Sequence, residues 1–262
     1  MKFSSPLMEG KLVQRYKRFF ADVKYFYKGQ WQMVTIHVSN TGSLKGVIEK
    51  NLDHEQNCLF SLHNDPTKKL KGTLEAIQTS NGSWVGVNTS NPNKIVYEAI
   101  QNSIISLKQN KNPFLPQWEN FLFFKPEFKI NSESRLDAAL ATNEEALKSI
   151  QGPKHFIEIK NTTYVSLNSK NKIAQFPDSV TERGQKHLNE MMKLLELGHS
   201  CELIFTVQRD DVDSFSASIE CDPEYAKLLK IAHNRGVIIT PLIVQMNKVE
   251  INLTNRLLPI LW

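Results

Sequence analysis

Cysteine is scarce in this sequence. The three present, Cys58, Cys201 and Cys221, are odd in number and widely spaced. That excludes a disulfide framework and fits free thiols in a reducing cytoplasm. His54, Cys58 and His63 have a loosely zinc-like spacing but supply only three ligands, too few for a closed structural zinc site. No apolar run occupies Met1–Gly10, so no secretory signal is expected, and no segment has the length of a membrane span. Internal repeats and low-complexity tracts are absent as well. Charge of one sign is not extreme: the net charge of +5 leans towards a polyanionic partner without establishing one. With 40% hydrophobic and 23% charged residues over 262 positions, the composition excludes a disordered chain. It describes a soluble, cytoplasmic globular protein of one to two domains with no membrane partner.

What is present changes character near position 88. From Gly10 to Val87 the chain reads as short strands (Lys11–Arg18, Phe20–Tyr27, Trp31–Val38, Trp84–Val87), with turn clusters at Lys28-Gly29-Gln30, Asn40-Thr41-Gly42-Ser43 and Asn81-Gly82. Short strands at this spacing suggest a small barrel or sandwich. Beyond it, Asn93 to Leu107 has the apolar stripe of a helix (Val96, Ile100, Ile104, Leu107), and a proline-rich link follows. Strands are expected at Phe121–Phe128, Ser134–Ala141 and Phe156–Val165. A capping box, Ser179-Val180-Thr181-Glu182, predicts a helix to Leu197, with Val180, Leu188, Met191 and Leu195 on its buried side. Cys201–Val207 reads as a buried strand, Pro223–Asn234 as a helix, and Val237–Ile239 and Leu242–Leu253 as closing strands.

Ser134-Arg135-Leu136-Asp137 and His155-Phe156-Ile157-Glu158-Ile159-Lys160 organise this second part. Alternation puts Glu158 and Lys160 on one face, and a hairpin folded about Leu147–Lys148 sets Asp137 opposite Glu158. Two carboxylates and a lysine then share one patch. The arrangement is either a cross-strand ion pair on a solvated face or a divalent-cation site in a semi-buried setting. A cation there would serve phosphodiester hydrolysis, with Lys160 orienting water or offsetting developing charge.

Two further clusters have paired readings. On the helix from Ser179, Thr181, Arg183, Lys186 and His187 form either a solvated, ion-paired face or a row of donors reaching for phosphates. Arg15-Tyr16-Lys17-Arg18-Phe19-Phe20 interleaves cations and rings. It reads either as a charge-protected edge strand or as a nucleic-acid surface. Glu98 lies off its helix's apolar stripe, where a carboxylate is by default exposed.

Several segments together resemble the sugar fermentation stimulation protein family over nearly the whole chain. They are Arg15–Val23, Asn40–Ser43, Val87-Asn88-Thr89 with Asn93 and Glu98-Ala99, Ser134–Asp137, Glu158–Thr163, Phe176–Leu188, Asp222–Ala226 and Arg235–Val237. The resemblance implies a mixed α/β (α+β) protein with an OB-type β-barrel at 1–87. It implies a restriction-endonuclease-like αβββαβ domain, similar to the PD-(D/E)XK nucleases, at 88–262. It implies DNA as the partner, without marked sequence preference, and a regulatory role in sugar (maltose) metabolism. In the nuclease pattern an acid from the first helix joins the Asp and the Glu-x-Lys, so Glu98, Asp137 and Glu158 would hold Mg2+ or Mn2+, and Glu127 is a further candidate. Two positions depart from the family: Val38-Ser39 stands where Cys-Pro is expected, and Ala138 replaces a large aromatic after Asp137. Two functions remain: a non-sequence-specific DNA-binding regulator, or a metal-dependent DNA endonuclease acting through Asp137, Glu158 and Lys160.

Overall fold

The computed structural model describes residues 1–49, 55–63, 65, 67–166 and 172–262. His54 lies outside them. Cys58 is a buried thiol pushed up to about 12 by burial, and His63 bonds the Thr73 hydroxyl at 2.9 Å.

Six strands build the first body: β1 (Met8–Tyr16), β2 (Phe20–Tyr27), β3 (Gln30–His37), β4 (Gln56–Leu62), β5 (Gly72–Gln78) and β6 (Trp84–Gly86). They are ordered β3-β2-β1-β4-β5-β6, and a parallel contact between β3 and β5 at His37 and Thr73 closes the sheet into a barrel. Period-two alternation explains its filling. Leu12, Val23, Ile36, Phe60, Leu74 and Ile77 point inward and form one core, while their strand neighbours face out. Closure brings backbones close. A Cβ at Gly72 would collide with the Ser61 carbonyl, so only glycine fits there.

The expected strand Lys11–Arg18 ends at Tyr16, because Lys17 and Arg18 take positive φ values of 47° and 63° in the turn to β2. Their stretch is a hairpin tip, not an edge strand.

The second body opens with α1 (Asn91–Lys108) and continues through β7 (Phe123–Lys129), β8 (Arg135–Ala141), β9 (His155–Thr162), β10 (Ile173–Phe176), α2 (Glu182–Glu196), β11 (Ser200–Val207), β12 (Ser214–Ala217), α3 (Pro223–Asn234), β13 (Ile238–Met246), β14 (Ile251–Leu257) and β15 (Ile260–Leu261). Its main sheet is ordered β14-β13-β11-β9-β8-β7, with β9, β11 and β13 parallel at the centre. Helix α1 covers one face, over Ile157, Ile159, Ile204 and Leu242. The other face, with Phe156, Leu203 and Phe205, packs under residues of α2 and α3. Each fully buried Leu, Ile or Phe contributes roughly 1.5–3 kcal/mol, so both layers hold the central strand β9 in place.

Three local readings are corrected. The cap of α2 is Thr181, whose hydroxyl accepts the Gly184 N–H at 3.1 Å, and Val180 is 66% exposed rather than buried. The two closing strands divide later than expected, because β13 runs through Pro241 to Met246. A small parallel sheet of β10, β12 and β15 was not anticipated at all. Among the described residues no helix is long and apolar enough to cross a membrane.

The two bodies meet along a bonded seam. Gly86 N–H donates to Gln208 O at 2.9 Å, Arg209 Nη1 to Gly46 O at 3.1 Å, and Asn81 Nδ2 to Asp211 at 2.7 Å. Asn88 and Asn91, around the start of α1, both donate to the buried Glu75 of β5, at 2.8 and 3.1 Å. Residues at the start of the chain pair with the second body, Phe3 N–H reaching Val249 O at 2.9 Å.

Candidate functional site

The register of β8 on β9 pairs Ala138 with Ile157 and Leu140 with His155, which carries Asp137 to the position across from Glu158. The strands part there. Asp137 Oδ2 accepts the Ile159 backbone N–H at 2.7 Å, and Oδ1 accepts Asn93 Nδ2 at 3.0 Å. Tyr97, one turn beyond Asn93 on α1, donates its hydroxyl to the Asp137 carbonyl at 2.7 Å. Glu158 is 4% exposed, and its Oε1 accepts Lys160 Nζ at 2.6 Å and the His187 ring Nδ1. Lys160 Nζ stands 3.4 Å from the same ring nitrogen. Glu158 Oε2 is buried with no hydrogen-bond partner among the described residues.

The electrostatics divide the two acids. Burial, and then the Glu158 charge, push the Asp137 carboxyl up to about 6 against the pull of Ile159 N–H, Asn93 and Lys160. Burial would raise Glu158 too, but Lys160 and His187 together outweigh it and hold that group below the usual carboxylate range. The enclosed phenol of Tyr225 is pushed well above its ordinary value, by burial and then by the Glu158 charge.

A buried carboxylate oxygen without a donor is costly unless a cation completes it. Among the described residues no three His, Cys, Asp or Glu side chains form a metal cage. Two carboxylates with the rest of the shell from water or a phosphate suit Mg2+, which keeps several waters and seldom uses an all-protein cage. The residues present therefore fit a hard divalent cation at Asp137 and Glu158.

Other expected site residues lie elsewhere. Glu98 is not brought to the carboxylate pair. It ion-pairs with the Met1 amine at 2.6 Å, because it sits about 140° around the helix from Asn93. Glu127 is exposed in a left-handed conformation (φ 54°) and pairs with Arg135 at 3.0 Å. His187 is buried on Glu158, away from the exposed Arg183 and Lys186, and Lys186 reaches Glu133 at 3.3 Å. Thr181 caps α2.

At the barrel tip, Arg15 spends its guanidinium on Arg18 O and Asn40 O at 3.0 and 2.7 Å, and Tyr16 stacks on Phe20 at 5.6 Å. Lys17 and Arg18 are exposed. The site residues missed from sequence are Asn93 and Tyr97. Their i, i+4 spacing was the available signal, since it puts both on one helical face.

Comparison with known proteins agrees with this architecture. A family model described as the SfsA N-terminal OB domain matches residues 13–87, and one described as the sugar fermentation stimulation protein RE domain matches residues 90–250. The chain is similar to a sugar fermentation stimulation protein homolog of Bdellovibrio bacteriovorus, at 45% identity over 99% of each chain. It is also similar to one of Pelagibacter ubique, at 35% identity over 98% of each. A solved structure of Pyrococcus furiosus SfsA in complex with Ca2+ superposes with a TM-score of 0.74. It is 24% identical, covering 100% of this chain and 98% of that one. The barrel is thus an OB domain and the whole chain a mixed α/β fold of the SfsA type.

Proposed function

Because this chain belongs to the sugar fermentation stimulation protein family, we propose that it is a DNA-binding protein without marked sequence preference, carrying a divalent-cation site at Asp137 and Glu158. The observation that carries the reading is the buried, partnerless Glu158 Oε2 beside the Asp137 carboxyl. That a relative's structure is in complex with Ca2+ supports a hard cation, here Mg2+ or Mn2+. DNA is the partner because the barrel is an OB domain and Lys17, Arg18, Arg183 and Lys186 offer exposed cations for backbone contacts. Regulation of sugar (maltose) metabolism is the cellular output this reading assigns.

A bound cation would offset charge on a phosphate and lower the pKa of a water. The chain's own residues prepare for that. Asn93 and the Ile159 N–H fix the Asp137 carboxyl. His187 and Lys160 hold Glu158 ionised, and the Lys160 ammonium stands where a phosphate oxygen could take over its bond from Glu158. Affinity for duplex DNA is expected to fall steeply with salt through counterion release. Salt-insensitive binding sinks the reading.

The second reading is a Mg2+- or Mn2+-dependent DNA endonuclease. It is favoured by Lys160 lying on the acidic pair itself rather than on the solvated surface. Plasmid nicking by the wild type in Mn2+, absent in Asp137→Ala and Lys160→Ala, supports it. Equal nicking by all three is contamination and rejects it.

A further inference from the structure

The first helix meets the acidic pair with donors and brings it no acid. Asn93 and Tyr97 share one face of α1, a single turn apart. Asn93 Nδ2 donates to Asp137 Oδ1 at 3.0 Å, and the Tyr97 hydroxyl donates to the Asp137 carbonyl at 2.7 Å. Asn93 Nδ2 also stands 3.4 Å from the Tyr97 hydroxyl, and the Tyr97 ring packs on Phe124 at 5.2 Å. Both side chains are neutral. They fix the Asp137 carboxyl and its strand without adding negative charge.

No neighbouring acid makes up the difference. Glu98 pairs with the Met1 amine, and Glu127 pairs with Arg135. Asp222 caps α3, accepting the Thr181 and Tyr225 N–H groups at 2.9 Å each and the Gln185 amide. Among the described residues no third His, Cys, Asp or Glu joins the pair in a cage.

Lone pairs and charge then set the capacity of the site. Each Asp137 oxygen already accepts one N–H, and Glu158 Oε1 holds both Lys160 and His187. Glu158 Oε2 alone of the four oxygens has no partner among the described residues. The pair brings two negative charges and Lys160 returns one positive, so a single divalent cation already leaves the cluster positive. Paired divalent ions sit about 3.5–4 Å apart, and that repulsion has to be offset by further acids around them.

We infer that the site takes one divalent cation, a count that rests on the cation reading above. The Asn93 amide stands where a second cation would need an acid, and it sets that number. Asn93 is a positioning residue, because it acts through Asp137.

The test titrates the full-length chain with Mn2+ in the absence of DNA. Electron paramagnetic resonance counts the bound ions and distinguishes an isolated ion from a coupled pair. The wild type is expected to bind one Mn2+ with the spectrum of an isolated ion. Asn93→Asp supplies the missing acid and is expected to bind two, with a spectrum broadened by coupling at short separation. Asn93→Ala is expected to keep one and to weaken it by about 10- to 100-fold, the usual cost of losing a group that orients a ligand. A merely structural role would lower the unfolding midpoint of Asn93→Ala and leave its Mn2+ affinity unmoved.

Two Mn2+ ions in the wild type overturn the inference. So does a single ion in an Asn93→Asp variant with wild-type circular dichroism, or unchanged affinity in Asn93→Ala. No Mn2+ bound by the wild type is a separate result, which removes the cation reading itself and the count with it.

Discussion

Asp137→Asn should make the metal-free protein more stable, and the gain should grow with pH. The carboxyl is raised to about 6 in the fold, against roughly 3.9 in an unfolded chain. A raised acid binds its proton more tightly in the folded state, so the stabilisation is complete below the unfolded value and is lost as pH rises through the folded one. Complete ionisation therefore costs about 3 kcal/mol, of which about 1.4 kcal/mol falls between about pH 5 and about pH 8. The asparagine removes this cost. One of its two hydrogen bonds, to Ile159 N–H or to Asn93, must be rearranged, for about 1 kcal/mol. Turning the Asn93 amide over would recover most of that. The net expectation is a gain of about 2 kcal/mol at about pH 8 in a chelator, shrinking at about pH 5. Urea unfolding at the two pH values measures it. Mn2+ should reverse the order. A cation at about 100 times its Kd stabilises the wild type by about 2.7 kcal/mol and should leave the variant unmoved. A variant no more stable at the higher pH than at the lower, relative to wild type, refutes the assignment of a strained, cation-awaiting carboxyl.

Three further outcomes are expected. Glu202→Gln should cost about 3–5 kcal/mol by thermal or denaturant unfolding. The reason is that the buried Glu202 carboxylate accepts from Trp118 Nε1, Gln117 Nε2 and Thr240 Oγ1 and pairs with the His155 ring, which an amide cannot match. Asp211 is held far below the usual carboxylate range by Arg209, Asn81 and Lys172 despite burial, so Asp211→Asn should cost about 2 kcal/mol at neutral pH. Since a depressed acid stabilises only while ionised, the gap from wild type should narrow as pH falls below about 4, visible in paired acid titrations. Lys17→Ala and Arg18→Ala should each lower duplex affinity alike for unrelated sequences and flatten its salt dependence. Loss confined to one sequence in a binding panel would point to base readout instead.

The acidic hairpin was legible because strand alternation and a fold-back centred on Leu147–Lys148 set the register, and register alone decides that Asp137 faces Glu158. The first-helix ligand was not. Helical phase turns Glu98 away and presents Asn93, and an asparagine at a helix start reads as punctuation rather than as a site residue. His187 looked like a surface donor because its neighbours Arg183 and Lys186 are. Only the packing of α2 across β9 reveals that it is buried on Glu158. The barrel was visible as short alternating strands, but its closure between His37 and Thr73 joins positions too far apart in sequence for any local pattern. Pro241 reads as a break, yet its carbonyl accepts Leu258 N–H at 2.9 Å and the strand continues through it. The small sheet of β10, β12 and β15 consists of segments too short to carry a period.

The opening turn of α1 belongs to both halves of the chain. Asn91 bonds Glu75 in the barrel wall, and two residues later Asn93 bonds the Asp137 carboxyl. The placement of that carboxyl therefore rests on a helical turn whose first residue is anchored in the other body.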